Sequence, residues 1–333
     1  MYPSSKPFLN QLLSNSICII SLLGNGAIVY ATLRSRALRS PCNILIGLVS
    51  LSDMVMISSI LITTIVHNIV QSDLIPQPYC AYLQLAPMFA SSTSPLFLLG
   101  IAVDRLFSLM KFYKPMIASY SRFYIVAHTL PGCILGTALD VIVLTNQKHE
   151  EKVICSLTAP MQGPIHSIFS KIIIAVCILI VLCNASFIYL LKKLRLKSEK
   201  TKSIYRSVVV ISLSVVIGYI STLVILSIKG VLLLNSTPYL DLIAGLLINV
   251  AISVNFFVYY GISKEYRAIF DKLLGIGHIK AILGRSVILV LLNRRTSQLF
   301  ACEIARQSNS TFLAWDNSRR SSLFVDCGGK FED

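Results

Sequence analysis

The sequence predicts an all-α membrane protein, a seven-transmembrane helix bundle, on three observations. Seven apolar stretches, each long enough to cross a bilayer, fill the chain from about Leu9 to Gly261. Hydrophobic residues are 55% of the 333 residues and charged residues 14%, with a mean hydropathy of +0.73. A water-soluble domain carries about a quarter charged residues, so most of this chain does not face water. Basic residues also gather in alternate connections between the stretches.

The spans read as Leu9–Leu33, Asn43–Val70, Tyr79–Met110, Phe123–Asn146, Ile165–Leu194, Tyr205–Leu234 and Pro238–Gly261. Each reaches the roughly 20 residues needed to cross about 30 Å of hydrocarbon. A backbone in lipid satisfies its own hydrogen bonds, so the spans are expected to be helices. The short alternating segments of a membrane barrel do not occur.

A formal charge of +15 raises the question of nucleic acid, but its distribution answers it. Arg34, Arg36 and Arg39 lie between spans one and two, Lys111, Lys114 and Arg122 between three and four, and Lys192, Lys193, Arg195, Lys197, Lys200, Lys202 and Arg206 between five and six. The opposite connections hold only Lys6, Lys148, Lys152 and Lys229, with Lys171 just inside a span. This asymmetry predicts an extracellular N-terminus (residues 1–8), a transmembrane domain over 9–262 and a cytoplasmic C-terminus. The basic loops suit acidic membrane lipid, and no nucleic-acid partner is expected. Met1–Phe8 runs directly into a full-length span, so no cleavable signal peptide is expected.

Of nine cysteines, Cys18, Cys133, Cys177 and Cys183 lie in spans, where a thiol behaves as a small apolar side chain. Cys42 is near the inner face, and Cys302 and Cys327 fall in the reducing cytoplasm. Cys80 and Cys155 are the only pair placed in an oxidising compartment, and a disulfide between them is expected. Asp104 follows Cys80 by 24 residues, roughly 36 Å of helix. One helix therefore carries a staple at its outer end and Asp104-Arg105 at its inner end. That pair reads either as an ordinary ion pair at a helix end, worth about 0–1 kcal/mol, or as a partly buried switch.

Asp53 lies deep in span two, where an ionisable group is costly and marks a functional site by default. Asn25, Asn255 and Ser94 are its expected hydrogen-bond partners. The cluster reads either as structural glue around a protonated acid or as a polar nest for a small cation such as sodium.

Gly24-Asn25, Leu51-Ser52-Asp53, Cys80 with Asp104-Arg105, and Asn255-Phe256-Phe257-Val258-Tyr259, in that order, resemble the signature set of rhodopsin-like G-protein-coupled receptors. Pro41-Cys42-Asn43 with Leu51-Ser52-Asp53, and Asp104-Arg105-Leu106, resemble specifically the nematode serpentine chemoreceptors of the Srsx class. Ser263-Lys264-Glu265-Tyr266-Arg267 resembles the start of the short amphipathic membrane-surface helix of that superfamily, expected over 263–274. The resemblance implies a plasma-membrane receptor for a small molecule or short peptide. It also implies a heterotrimeric G protein as partner, with Asp104, Arg105 and Tyr259 in the coupling switch. The ligand site is expected in the outer half of the bundle, where Gln84, Met88, Ser91 and Asn249 are candidates. Pro87 stands where amine receptors carry an aspartate, and Asn249 where a retinal Schiff base would need lysine.

Several positions depart from the superfamily pattern. Leu106 replaces the tyrosine after the arginine, and Phe256 replaces the span-seven proline, so no proline kink is expected there. Spans five and six lack their usual proline and tryptophan. Gly218-Tyr219 is the weak point of span six. A transporter or channel is the alternative reading, but it calls for repeats or a chain of midplane charges; the spans show one deep acid and no repeat. An enzyme is not expected, since the five histidines are scattered and no serine elbow occurs. Residues 275–333, a cytoplasmic tail expected to be largely disordered, contain an apolar patch at Ile279–Leu292 and the kinase-like run Arg319-Arg320-Ser321-Ser322.

Overall fold

Each apolar stretch is a helix, as a lipid-facing backbone requires. The computed structural model describes residues 5–69, 74–148, 150–161, 163–193, 199–231 and 238–277. The helices are α1 (Ser5–Arg34), α2 (Pro41–Ile69), α3 (Gln77–Phe107), α4 (Tyr113–Thr145), α5 (Pro164–Lys193) and α6 (Glu199–Val231). They continue with α7 (Pro238–Ser253), α8 (Asn255–Ile262) and α9 (Lys264–Leu273). Seven spans among the described residues are long and apolar enough to cross a membrane, the seventh made of α7 and α8 together. The apolar patch and kinase-like run of the tail lie outside the described residues.

α3 is the axis of the bundle. It packs against α2, α4, α5 and α6, and 72% of its membrane window is buried, against 17% for α4. This is why α3 carries so many small polar residues: Ser91, Ser92, Thr93 and Ser94 are all buried and all hydrogen-bonded. Ser91 and Ser92 bond the Met88 carbonyl of their own helix, while Thr93 and Ser94 reach across to Ser52 and Asp53 of α2.

Two departures from the sequence expectation are the largest in consequence. The fourth helix begins at Tyr113, ten residues before the predicted span, and bends at Tyr120, whose φ of −128° and ψ of 31° interrupt the helix. The early turn forms because Pro115 sits in the first turn, where its missing N–H costs nothing. The seventh span, expected without a kink, is interrupted at Val254 between α7 and α8. No proline is involved. The Ile252 carbonyl beside the break accepts a hydrogen bond from Asn25 Nδ2 at 3.2 Å, so a side chain of α1 competes for the backbone of span seven. Gly24 permits the approach, since a Cβ there would lie 2.9 Å from Phe256 Cβ.

At one end of the bundle, β1 (Leu74–Pro76) pairs antiparallel with β2 (Lys152–Ile154), Leu74 opposite Ile154. At the other end, α9 is capped by Ser263, whose hydroxyl accepts from the Tyr266 N–H. Its buried Tyr266 and Phe270 pack on Tyr259 and Phe256, with ring centroids 4.8 and 4.9 Å apart. Arg267 completes the joint by donating to the carbonyls of Tyr260 and Gly261. Burial pushes the Tyr266 phenol well above its ordinary pKa, so it stays neutral at any physiological pH. The chain divides into two units, Met1–Leu274 and Gly275–Asp333. Gly275 takes a φ of +68°, a left-handed conformation that suits glycine directly after a helix.

Candidate functional site

The disulfide end is built as a clamped lid. Cys80, in the first turns of α3, is bonded to Cys155, 75 positions on in sequence, with Cα atoms 5.4 Å apart. The β1–β2 ladder lies beside the bridge, and Gln77 adds a second clamp. Its Oε1 accepts from the Lys148 N–H at 2.8 Å, its Nε2 donates to the Pro160 carbonyl at 3.2 Å, and its own N–H donates to the Glu151 carbonyl at 2.9 Å. One buried glutamine thus holds three points of the connection between α4 and α5. Sequence reasoning found the cysteines and missed Gln77, because a glutamine at a helix start has no signature until its partners are in place.

Deeper in the bundle, Asp53 of α2 is fully buried. Ser94 Oγ donates to its Oδ1 at 2.6 Å and Asn255 Nδ2 to its Oδ2 at 2.8 Å. Asn255 Nδ2 also lies 3.5 Å from Asn25 Oδ1, and Asn25 donates in turn to Ser21 Oγ at 3.1 Å. All four predicted residues therefore meet, joining α1, α2, α3 and α8. The donors to Asp53 are neutral, and Asn255 Oδ1 is buried without a hydrogen-bond partner.

The arginine end is organised differently. Asp104 is fully buried and Arg105 half-buried, and Arg105 Nη2 reaches Asp104 Oδ2 at 2.8 Å. Two phenols complete the carboxylate: Tyr113 Oη donates to Asp104 Oδ1 at 2.7 Å and Tyr124 Oη to the same oxygen at 3.1 Å. The Cys42 thiol of α2 lies against the same pair. Tyr124 is held by its neighbour on α4, the rings of Tyr124 and His128 being 4.1 Å apart and His128 Nδ1 2.9 Å from the Tyr124 carbonyl. Arg105 Nε is buried with no hydrogen-bond partner. Tyr113 and Tyr124 were invisible to the sequence reading, because the register of α4 on α3 is a tertiary fact.

Tyr259 is buried in α8 and stacks on Tyr266, so it belongs to the joint between the seventh span and α9. The ligand candidates are less unified. Gln84 is fully buried, with Nε2 4.0 Å from Cys155 Sγ and Oε1 lacking a partner. Met88 packs with Ala81, Leu139, Val143 and Met161 between α3, α4 and the lid. Ser91 Oγ donates to the Met88 carbonyl at 2.8 Å. Asn249 is half-buried on α7, and no hydrogen bond joins it to the α3 candidates among the described residues. α4 also carries Asp140, half-buried, with Oδ1 enclosed and unpartnered. Asp140, near the lid end of the helix with the smallest buried share, is a further acid within a span, and the count of a single acid there is corrected to include it.

Seven apolar helices around a polar axis, stapled at one end and closed by an acid–arginine pair at the other, define a serpentine membrane receptor architecture. The family model of the serpentine type 7TM GPCR chemoreceptor Srsx matches residues 18–274, and the chain belongs to this family. No curated protein matches the chain.

Proposed function

We propose that the chain is a chemosensory receptor of the plasma membrane that couples a small-molecule or short-peptide ligand to a heterotrimeric G protein. The N-terminus and lid face outward, and the arginine end and C-terminus face the cytoplasm, as the basic connections at the arginine end favour. The observation that carries this reading is α3 itself. It is tied at one end to the Cys80–Cys155 lid and at the other to a carboxylate saturated by Arg105, Tyr113 and Tyr124. A ligand beneath the lid, near Gln84, Met88, Ser91 and Asn249, shifts the bundle only by binding one arrangement more tightly than another. Release of Arg105 from Asp104 then offers a cation to the G protein, with Tyr259 at the neighbouring joint.

Asp53, Ser94, Asn25 and Asn255 suit a sodium ion: their donors are oxygens, one of them anionic, and Asn255 Oδ1 has an unused lone pair. When bound, the ion would supply a positive charge to balance Asp53.

Screening odorant and peptide libraries on cells expressing the chain, with G-protein activation as readout, tests the proposal. At least one ligand is expected to give a dose-dependent response that Arg105→Ala removes without reducing surface expression. Solute flux with no G-protein response to any stimulus would instead establish the transporter alternative.

A further inference from the structure

One helical turn of α3, from Ser91 to Pro95, carries three tethers to other helices. Ser94 Oγ donates to Asp53 of α2, and Thr93 Oγ1 lies 3.2 Å from Ser52 Oγ of the same helix. The third runs to α6: Tyr219 Oη donates to the Ser91 carbonyl at 3.4 Å.

The last contact follows from Pro95, which lies inside α3. In an α-helix each carbonyl accepts from the N–H four residues on. For Ser91 that residue is Pro95, which has no N–H. The Ser91 residue is only 3% exposed, so a donor from outside the helix is needed to satisfy the carbonyl. Tyr219 supplies it from across the bundle. Its position is set by Gly218, where a Cβ would lie 2.9 Å from Ala251 Cβ, so that α7 packs directly on the α6 backbone. The other neighbour of the hydroxyl is Met56 Sδ at 3.7 Å, a weak acceptor. The bond to Ser91 is long for O–H···O, which makes it easy to open.

We propose that the Tyr219 hydroxyl and the Ser91 carbonyl left free by Pro95 form a latch between α6 and α3. The latch holds the quiet arrangement of the receptor and opens when α6 separates from α3. This rests on the receptor reading above. It assigns Tyr219 as a positioning residue, acting on the same turn of α3 that bounds the ligand site and bonds Asp53. A ligand that shifts the Ser91 turn moves the acceptor itself.

The test uses the full chain with spin labels attached to unnatural residues at positions 111 and 202, so that separation of the arginine ends of α3 and α6 is read without any G protein. Tyr219→Phe keeps the ring and removes the donor. It is expected to enlarge the separated population about fivefold, the shift given by loss of a typical internal hydrogen bond, and to raise ligand-free G-protein turnover per surface receptor in step. Pro95→Ala returns an N–H to the Ser91 carbonyl and is expected to enlarge the same population. Tyr219→Phe added to Pro95→Ala should then change nothing more. An unchanged distance distribution in Tyr219→Phe overturns the latch, as do effects of the two substitutions that multiply. Separation that rises while neither wild type nor variants turn over a G protein supports the latch and removes the coupling proposal. If Tyr219→Phe does not reach the membrane, Pro95→Ala alone decides, by the presence or absence of the shift.

Discussion

Asp53 and Asp104 are both fully buried carboxylates inside one bundle, yet they are held in opposite ways. Asp104 has an arginine and two phenols converging on it from α3 and α4. Asp53 has a serine and an amide, both neutral, drawn from α3 and α8. A buried charge with a hydrogen-bonded counter-charge is stable where it stands, and removing the counter-charge is costly. A buried acid with only neutral donors lacks that balance, and it gains from a proton or a cation. The first arrangement is a closed lock. The second leaves a carboxylate held by neutral donors alone among the described residues, the arrangement for which a sodium ion is proposed above.

The sharpest break in this contrast is at Arg105. Arg105→Ala is expected to lower G-protein activation by at least about thirtyfold, the scale for deleting a desolvated charged contact, while Tyr113 and Tyr124 keep Asp104 bonded and surface expression near normal. Loss of folding in this variant, seen as retention inside the cell, would make the pair structural and erase the difference between the two acids.

A smaller effect is expected at Asn255. Asn255→Ala leaves one Asp53 oxygen without its donor and should cost about 1–3 kcal/mol, read as a lower Tm of detergent-solubilised protein. Asp53→Asn sharpens the comparison further. Replacing choline chloride with sodium chloride at constant ionic strength should raise the Tm of wild type and leave the variant unmoved. Equal responses in both would show that Asp53 is not a cation seat.

The smallest changes belong to the phenols. Tyr113→Phe and Tyr124→Phe each remove one of two bonds to the same oxygen, so each alone should cost about 1 kcal/mol and the pair more than the sum. Thermal melts of the two singles and the double measure the coupling. Strict additivity would mean that the tyrosines do not act on one shared atom.

Much of this was legible in the residues. Seven spans, the Cys80–Cys155 bridge and the company of Asp53 follow from hydropathy, charge asymmetry and the cost of polar groups in hydrocarbon. Asn25, Ser94 and Asn255 were named because a deep acid needs partners at its own depth, and few polar side chains lie there. Tyr113, Tyr124 and Gln77 were not legible, since each matters only through a neighbour 20 to 83 residues away or across a connection whose path is unconstrained by sequence pattern. The break at Val254 was missed for a related reason: proline is the local cause of a kink, and here the cause is a side chain of α1 reaching the Ile252 carbonyl.

The sequence by itself determined that the chain crosses a membrane seven times, which connections are basic, and which helix carries both the staple and the acid–arginine pair. These depend on composition and on rise per residue, which are local quantities. Tertiary structure alone decided that Asp104 is clamped by two tyrosines, that Asp53 is paired with no cation among the described residues, and that Tyr219 of α6 meets the carbonyl that Pro95 leaves free. Those depend on the rotation of each helix about its axis and its sliding along its neighbours. Close approaches at Gly132 and Gly136 to α3, at Gly24 to α8 and at Gly218 to α7 constrain both, and no pattern within a single helix contains them.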